Sequence, residues 1–312
     1  MGGSGGGSSW SSGSSSNDIN ELIRRATERT EGSSYNSEVN DLLQNALKGF
    51  NARDIEATQK HLNVLKEAIE REIENSVDLL FGGSIRKNTF INGLSDVDTL
   101  VLVNNTSLEN KSPQEVLNHF EQRIKQRLPN TDVSVGKLAV TIRYSDGQEI
   151  QMLPAIKTAS GFRIANPEEG KWSKVVRPES FARKLTAVNK AQSGKVVPTI
   201  KLFKPMIDKT IPKGLKISGY HAESMAIEAF KNYQGSRTYK DMLTHFCREA
   251  TNLVKSPIQD KTGQSLHVDD YLGVKDSPDR VKISKFLGRL TKQMESSDNL
   301  KSLTKWQEWF EE

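Results

Sequence analysis

The chain has 312 residues, 35% of them hydrophobic and 27% charged, with a formal net charge of +5 at pH 7. That balance is ordinary for a globular protein and leaves room for one large or two small domains, which excludes a fibrous or low-complexity chain. The longest apolar run, Thr99 to Val103, is far short of the ~18 residues a membrane span needs and fits a buried strand instead.

Cys247 is the single cysteine, so an internal disulfide is ruled out and a cytoplasmic setting is expected. The N-terminus has neither the basic nor the apolar region of a signal peptide. The five histidines (61, 119, 221, 245 and 267) have no paired spacing, which argues against a zinc cluster. The mild positive charge suits an anionic substrate without requiring one.

Residues 1–16 are a Gly/Ser tract; such a segment reads as a disordered tail. Asn17 and Asp18 can cap a helix through Ile19, Leu22 and Ile23, and Asn36-Ser37 can open another through Val39, Leu42, Leu43 and Leu47. Asp54 precedes a long amphipathic helix, Ile55 to about Glu74, with Leu62, Leu65, Ile69 and Ile73 on one stripe. The period then changes. Val77–Phe81 and Val97–Val103 read as strands, and Ser112 caps a helix to about Leu128. Asp132–Val135, Lys137–Tyr144 and Gln148–Leu153 are further strands, the last two joined by a Ser145-Asp146-Gly147 turn. Phe162–Ala165 can add a short one. Helices then follow at Glu179–Gln192, Pro198–Ile207, Gly219–Asn232, Tyr239–Leu253 and Pro278–Met294. Pro198 and Pro278 suit a first helical turn, and Ser277 is placed to cap the last helix. The expectation is a mixed α/β sheet domain with flanking helices over 17–177, followed by a helical domain over 178–312.

One segment carries chemistry: Gly82-Gly83-Ser84, eleven residues, then Asp96-Val97-Asp98 at the head of an apolar strand. Strand alternation puts the two aspartates on one face, roughly 6–7 Å apart along the backbone. That spacing suits two Mg²⁺ ions ~3.5–4 Å apart, with Mn²⁺ the alternative metal. Gly83 permits close backbone approach to a phosphate, and Ser84 and the N–H groups after it can donate to it. Arg86 and Lys87 add positive charge. An Asp-x-Asp pair alone is commonly a solvated turn or a helix cap; the ordered combination is far more restrictive.

The segment GGSIRKNTFINGLSDVDTLVLV resembles the polymerase-β-like nucleotidyltransferases, and within them the cGAS/DncV-like nucleotidyltransferases (CD-NTases), the oligonucleotide cyclases of bacterial CBASS antiphage defence. Leu153-Pro154-Ala155 is similar to the end of that family's third catalytic strand, and Trp172 with Val176-Arg177-Pro178 and Phe181 to its entry into the helical domain. Ile200–Lys204 resembles its lysine-bearing helix and Ser218–Glu223 its Ser-Tyr-type helix start. The likeness covers roughly residues 20–290. It implies a bilobal α+β protein with a polymerase-β-like sheet domain, a C-terminal helical domain and a central cleft. It also implies Mg²⁺-dependent joining of nucleoside triphosphates into a cyclic second messenger, with pyrophosphate release and a downstream effector activated by the product.

On that resemblance Asp96 and Asp98 hold metal, Gly83 and Ser84 hold the triphosphate, Lys201 and Lys204 reach the same phosphates from the helical domain, and Tyr220 stacks on a base. The plainer reading of the two lysines is a snorkelling pair, and that of Tyr220 a half-buried residue at a helix start. The family's third carboxylate falls here on Gln151, which can ligate a metal through its carbonyl but cannot accept a proton. Glu149 lies two residues earlier on the same strand face. Three readings stay open: Glu149 takes over with a shifted metal, the enzyme works more slowly with Gln151, or the chain binds nucleotides without turnover. A linear oligonucleotide synthase and an RNA terminal transferase are alternatives. The lack of a dense Lys/Arg run with interleaved aromatics argues against a long nucleic acid partner. His267 with Asp269 and Asp270 reads as a loop closure before the last helix, His221 as a polar residue at a helix start, and Glu308–Glu312 as a solvated tail.

Overall fold

A computed structural model of the chain describes residues 16–51, 55–71, 73–81, 97–166, 169–212, 214–260 and 268–310. Helix α1 spans Ser16–Asn51. Two helices broken near Asn36 were expected, but the stripe Tyr35, Val39, Leu43 and Leu47 is buried without interruption. The Asn40 side chain donates to the Asn36 carbonyl from within the helix (2.7 Å). The helix therefore runs through the expected break, and its buried face begins there, at Tyr35. Helix α2, Ile55–Ile69, buries Leu62, Leu65 and Ile69. It ends before Glu74 because the Glu70 carboxylate accepts the Val77 N–H (2.9 Å), and the left-handed Asn75 (φ 64°) turns the chain into the sheet.

The strands are β1 (Asp78–Phe81), β2 (Val97–Leu102), β3 (Asp132–Val135), β4 (Val140–Arg143), β5 (Glu149–Thr158), β6 (Gly161–Asn166) and β7 (Lys171–Trp172). Their order is β1-β2-β5-β4-β3, with β6 on β5 and β7 on β6. Strands β2 and β5 run parallel and the other pairs antiparallel. The Asp-Gly turn forms as expected: the Tyr144 N–H donates to the Gln148 carbonyl at 2.9 Å, and Gly147 takes φ 84°. Strand β5 runs five residues past its expected end and through Pro154, which has no N–H for a ladder. On that edge the pairing of β5 with β4 reaches Met152 and its pairing with β6 begins at Ala155. Pro154 thus sits in the gap between two partners, where no bond is lost.

Helix α3, Pro113–Arg127, opens with a Ser112/Glu115 capping box. With α2 it covers one sheet face, over a core that includes Leu65, Val101, Phe120, Ile142 and Met152. Leu100, Leu102, Ala155, Phe162 and Val176 form a smaller cluster on the opposite face. A bridge between Phe162 and Val176 leads the chain into the helices.

These are α4 (Pro178–Ala191), α5 (Val196–Thr210), α6 (Gly219–Phe230), α7 (Tyr239–Leu253), α8 (Pro278–Leu300) and α9 (Thr304–Phe310). They share one core centred on Phe203, Phe230, Phe246, Leu287 and Trp306. The stripe of α1 belongs to that core, so α1 packs with the C-terminal helices while α2 packs with the sheet. Trp306 Nε1 donates to the Tyr35 hydroxyl (3.0 Å), which donates to Asp298 (2.9 Å). The expected solvated tail at Glu308–Glu312 needs correction over its described residues 308–310: they belong to α9, and Trp309, at one-turn spacing from Trp306, is buried in the core; 311 and 312 lie outside the described residues. Among the described residues no helix is long and apolar enough to cross a membrane.

Candidate active site

Period-2 alternation sorts the sheet residues. Val101, Val140, Ile142, Ile150 and Met152 face the α2/α3 core, whereas Leu100, Leu102 and Leu153 face the other way. Asp98, Gln151 and Glu149 share the parity of that second face. The register sets them in two rows across the strands. Asp98 is the Cα partner of Gln151, which is opposite Thr141, which is opposite Ser134. One step toward the strand starts, Glu149 is opposite Arg143, which is opposite Asp132. Adjacent strands lie ~4.8 Å apart, so Asp98 and Gln151 are immediate neighbours on a polar shelf at the edge of an apolar floor.

The shelf is wired from one end. Arg143 Nε donates to Glu149 Oε2 (2.8 Å), and its Nη1 donates to Asp132 (3.2 Å) and Ser134 (3.3 Å). Those partners hold the Arg143 guanidinium above its usual pKa, the Asp132 bond first and the Glu149 charge next. Gln151 Nε2 donates to Glu149 Oε1 (3.4 Å). Glu149 is thereby drawn toward β4, the neighbour of β5 opposite to β2. Asp98 and Gln151 offer hard oxygen donors side by side, which suits Mg²⁺ or Mn²⁺. Among the described residues no group of three or more His, Cys, Asp and Glu is arranged to hold a metal. Gly83, Ser84 and Asp96, with Arg86 and Lys87, lie outside the described residues, as does His267.

In the helical part, Ser218 caps α6 through its hydroxyl on the His221 N–H (3.1 Å). The next residue, Gly219, keeps an N–H with no hydrogen-bond partner among the described residues. Lys204 Nζ would lie 3.6 Å from a Cβ built at Gly219, and it pairs with buried Glu223 at 3.5 Å. A buried ammonium therefore adjoins the positive end of a helix. Lys201 takes a different partner, Asn51 at the end of α1 (2.5 Å). Tyr220 tilts against Phe181 with ring centroids 4.6 Å apart, and its hydroxyl donates to Asp260 (2.9 Å).

Two groups of residues escaped sequence reasoning. Arg143 was legible by counting outward from the Asp-Gly turn, which sets it opposite Glu149. The buried set Asp269, Arg280 and His221 was not, because Arg280 reaches Asp269 (2.6 Å) from another element.

Residues 34–189, half of the chain, match the model of the "Second Messenger Oligonucleotide or Dinucleotide Synthetase domain". The chain is similar to cyclic nucleotide synthase CdnE01 of Staphylococcus haemolyticus, 26% identical over 255 residues that cover 77% of this chain and 79% of that protein. It is also similar to a cyclic AMP-AMP-AMP synthase of an Acinetobacter species, 28% identical over 180 residues, covering 52% of this chain and 51% of that one. Its fold is shared with CdnC of E. coli MS115-1, solved with ATP (TM-score 0.64, 13% identity, 87% and 97% of the two chains). It is shared too with the Vibrio cholerae cyclic AMP-GMP synthase DncV (TM-score 0.63, 11% identity, 95% and 90%). The chain is a nucleotidyltransferase and belongs to the Second Messenger Oligonucleotide or Dinucleotide Synthetase family, among the CD-NTases.

Proposed function

We propose that the chain condenses nucleoside triphosphates into a cyclic oligonucleotide, with release of pyrophosphate, in a reaction dependent on Mg²⁺ or Mn²⁺. The observation that carries this reading is the register of β2 and β5, which makes Asp98 and Gln151 neighbours on one face. Asp96, Asp98 and Gln151 are the residues to hold the metal. Bound there, it would neutralise triphosphate charge and activate the attacking hydroxyl.

Gln151 enters as a ligand through its carbonyl. A carboxylate can only accept hydrogen bonds, so the part of Gln151 turned to Glu149 is the amide nitrogen. In this reading the carbonyl oxygen is the atom that would ligate the metal. Glu149, held by Arg143 on the β4 side, orients that amide and is not itself the third ligand. Of the three readings left open by the sequence, this one is the enzyme working with Gln151.

The triphosphate is placed on Ser84 and the Gly83 backbone, with Lys204 and the first turn of α6 on its far side. The Gly219 N–H, without a partner among the described residues, and the helix dipole favour an anion there. Lys201 acts one step removed, through Asn51 and the end of α1. Tyr220 offers its ring to a base, a contact of ~1–3 kcal/mol. The family likeness supports a place in CBASS antiphage signalling in the cytoplasm, with the product activating a separate effector.

The test is pyrophosphate release from a mixture of the four nucleoside triphosphates with Mg²⁺ or Mn²⁺. Asp98→Asn is expected to lower the rate at least 100-fold while leaving thermal unfolding of the nucleotide-free protein in place. An unchanged rate in that variant would remove Asp98 from the site.

A further inference from the structure

Tyr271 is 53% exposed, yet its hydroxyl is the best-engaged part of it. The oxygen accepts the Ser218 N–H (2.9 Å) and lies 3.2 Å from Nδ1 of His221, a side chain with no exposure at all. An oxygen that accepts from Ser218 has its own hydrogen to give, and His221 Nδ1 is the acceptor in reach. Asp269 faces Nε2 at 3.3 Å and favours hydrogen on that nitrogen, which leaves Nδ1 to accept from the phenol. The separation is an electrostatic contact, since Nε2 makes no aligned hydrogen bond.

Asp269 is immobilised in turn. It accepts from Arg280 (2.6 Å) and from the Ile258 N–H (2.9 Å). Arg280, fully buried, also donates to the carbonyls of Gly273, Val254 and Asp269. A relay thus runs from the interior of the helical core through Asp269 and His221 to the phenol, and from the phenol to the backbone of Ser218. Ser218 is the residue whose hydroxyl caps α6.

A tyrosine that served packing would bury its ring. Here about half of the side chain is exposed, and the hydroxyl sits at the cap of the helix whose first turn adjoins Lys204. We propose that Tyr271 is a positioning residue for the triphosphate: its hydroxyl holds the Ser218 N–H and so sets how the first turn of α6, with the Gly219 N–H, is presented beside Lys204. This rests on the assignment of the triphosphate to that turn. The residue acts on phosphate groups through the backbone of α6, and therefore on triphosphates more than on monophosphates.

The measurement is equilibrium binding of ATP and of AMP, in the presence of Mg²⁺, to the wild type, Tyr271→Phe and Tyr271→Leu, each first checked for an unchanged unfolding midpoint. Both variants are expected to bind ATP about tenfold more weakly and AMP as the wild type does, since both lack the hydroxyl's hold on the cap. A Tyr271→Phe protein with wild-type ATP affinity overturns the inference, whatever Tyr271→Leu does. Equal losses for ATP and AMP overturn it too, because they report a general disturbance of the helix. If the wild type itself binds ATP no better than AMP, the triphosphate assignment fails first. Amide hydrogen exchange at Ser218, expected to quicken in Tyr271→Phe, then decides separately whether the hydroxyl holds the cap.

Discussion

At the scale of single residues, His221 is a group whose ionisation the fold suppresses. Burial is the main cause, with Arg280 adding to it and Asp269 opposing, and the imidazole pKa is pressed down to about 4. The unfolded value is near 6.5, so between those two values the unfolded chain binds more protons than the folded one. Stability therefore rises with pH across that window and falls as the protein is acidified from pH 6.5 toward 4. At ~1.4 kcal/mol per unit the full effect is on the order of 3 kcal/mol. Urea unfolding at a series of pH values should show that slope in the wild type and a weaker one in His221→Asn. Equal slopes in the two proteins would assign the acid sensitivity elsewhere. The pairing of Asp98 with Gln151 was legible from strand spacing and the family likeness. The Arg143 hold on Glu149 was not drawn from the sequence, although the hairpin register contains it. Asp260 and Tyr271 meet α6 only through the fold, and nothing in their local sequence announces it.

At the scale of elements, the sequence reads well where the burial pattern is local. Asp132–Val135 and Tyr239–Leu253 have the bounds their patterns imply, and Ser112 and Ser277 cap as their side chains suggest. It reads poorly where a partner decides. Helix α1 runs through the break expected near Asn36, and its stripe from Tyr35 to Leu47 is buried by distant helices. Strand β5 passes through Pro154 because it changes neighbour there. Helix α9 is too short to be stable alone and exists through Trp306 and Trp309. Trp306→Ala removes a fully buried side chain and its bond to Tyr35. The expected loss is ~3–5 kcal/mol in denaturant unfolding. A loss below ~1 kcal/mol would mean that α9 does not anchor α1.

At the scale of the whole molecule, the described residues build two main cores, one between the sheet and α2/α3 and one among α1 and α4–α9. Each presents one half of the proposed site. The sheet offers oxygen ligands at the head of β2 and β5; the helices offer Lys204 and the start of α6. On the proposed reading neither half would align a triphosphate alone, since one would neutralise the reacting phosphate and the other would hold the phosphates behind it. The division follows the expected order of a sheet part and a helical part, except that α1 joins the helices.

The most direct test of the account is product analysis. Purified protein is incubated with all four labelled nucleoside triphosphates and Mg²⁺ or Mn²⁺, beside an Asp96→Asn/Asp98→Asn double variant, and the products are treated with phosphatase and weighed. The account predicts a phosphatase-resistant oligonucleotide that the double variant does not make, with its mass giving the ring size and bases. A wild-type product that loses terminal phosphates to phosphatase would contradict cyclisation and indicate a linear synthase. Nucleotide binding without any product would contradict the catalytic role given to Gln151.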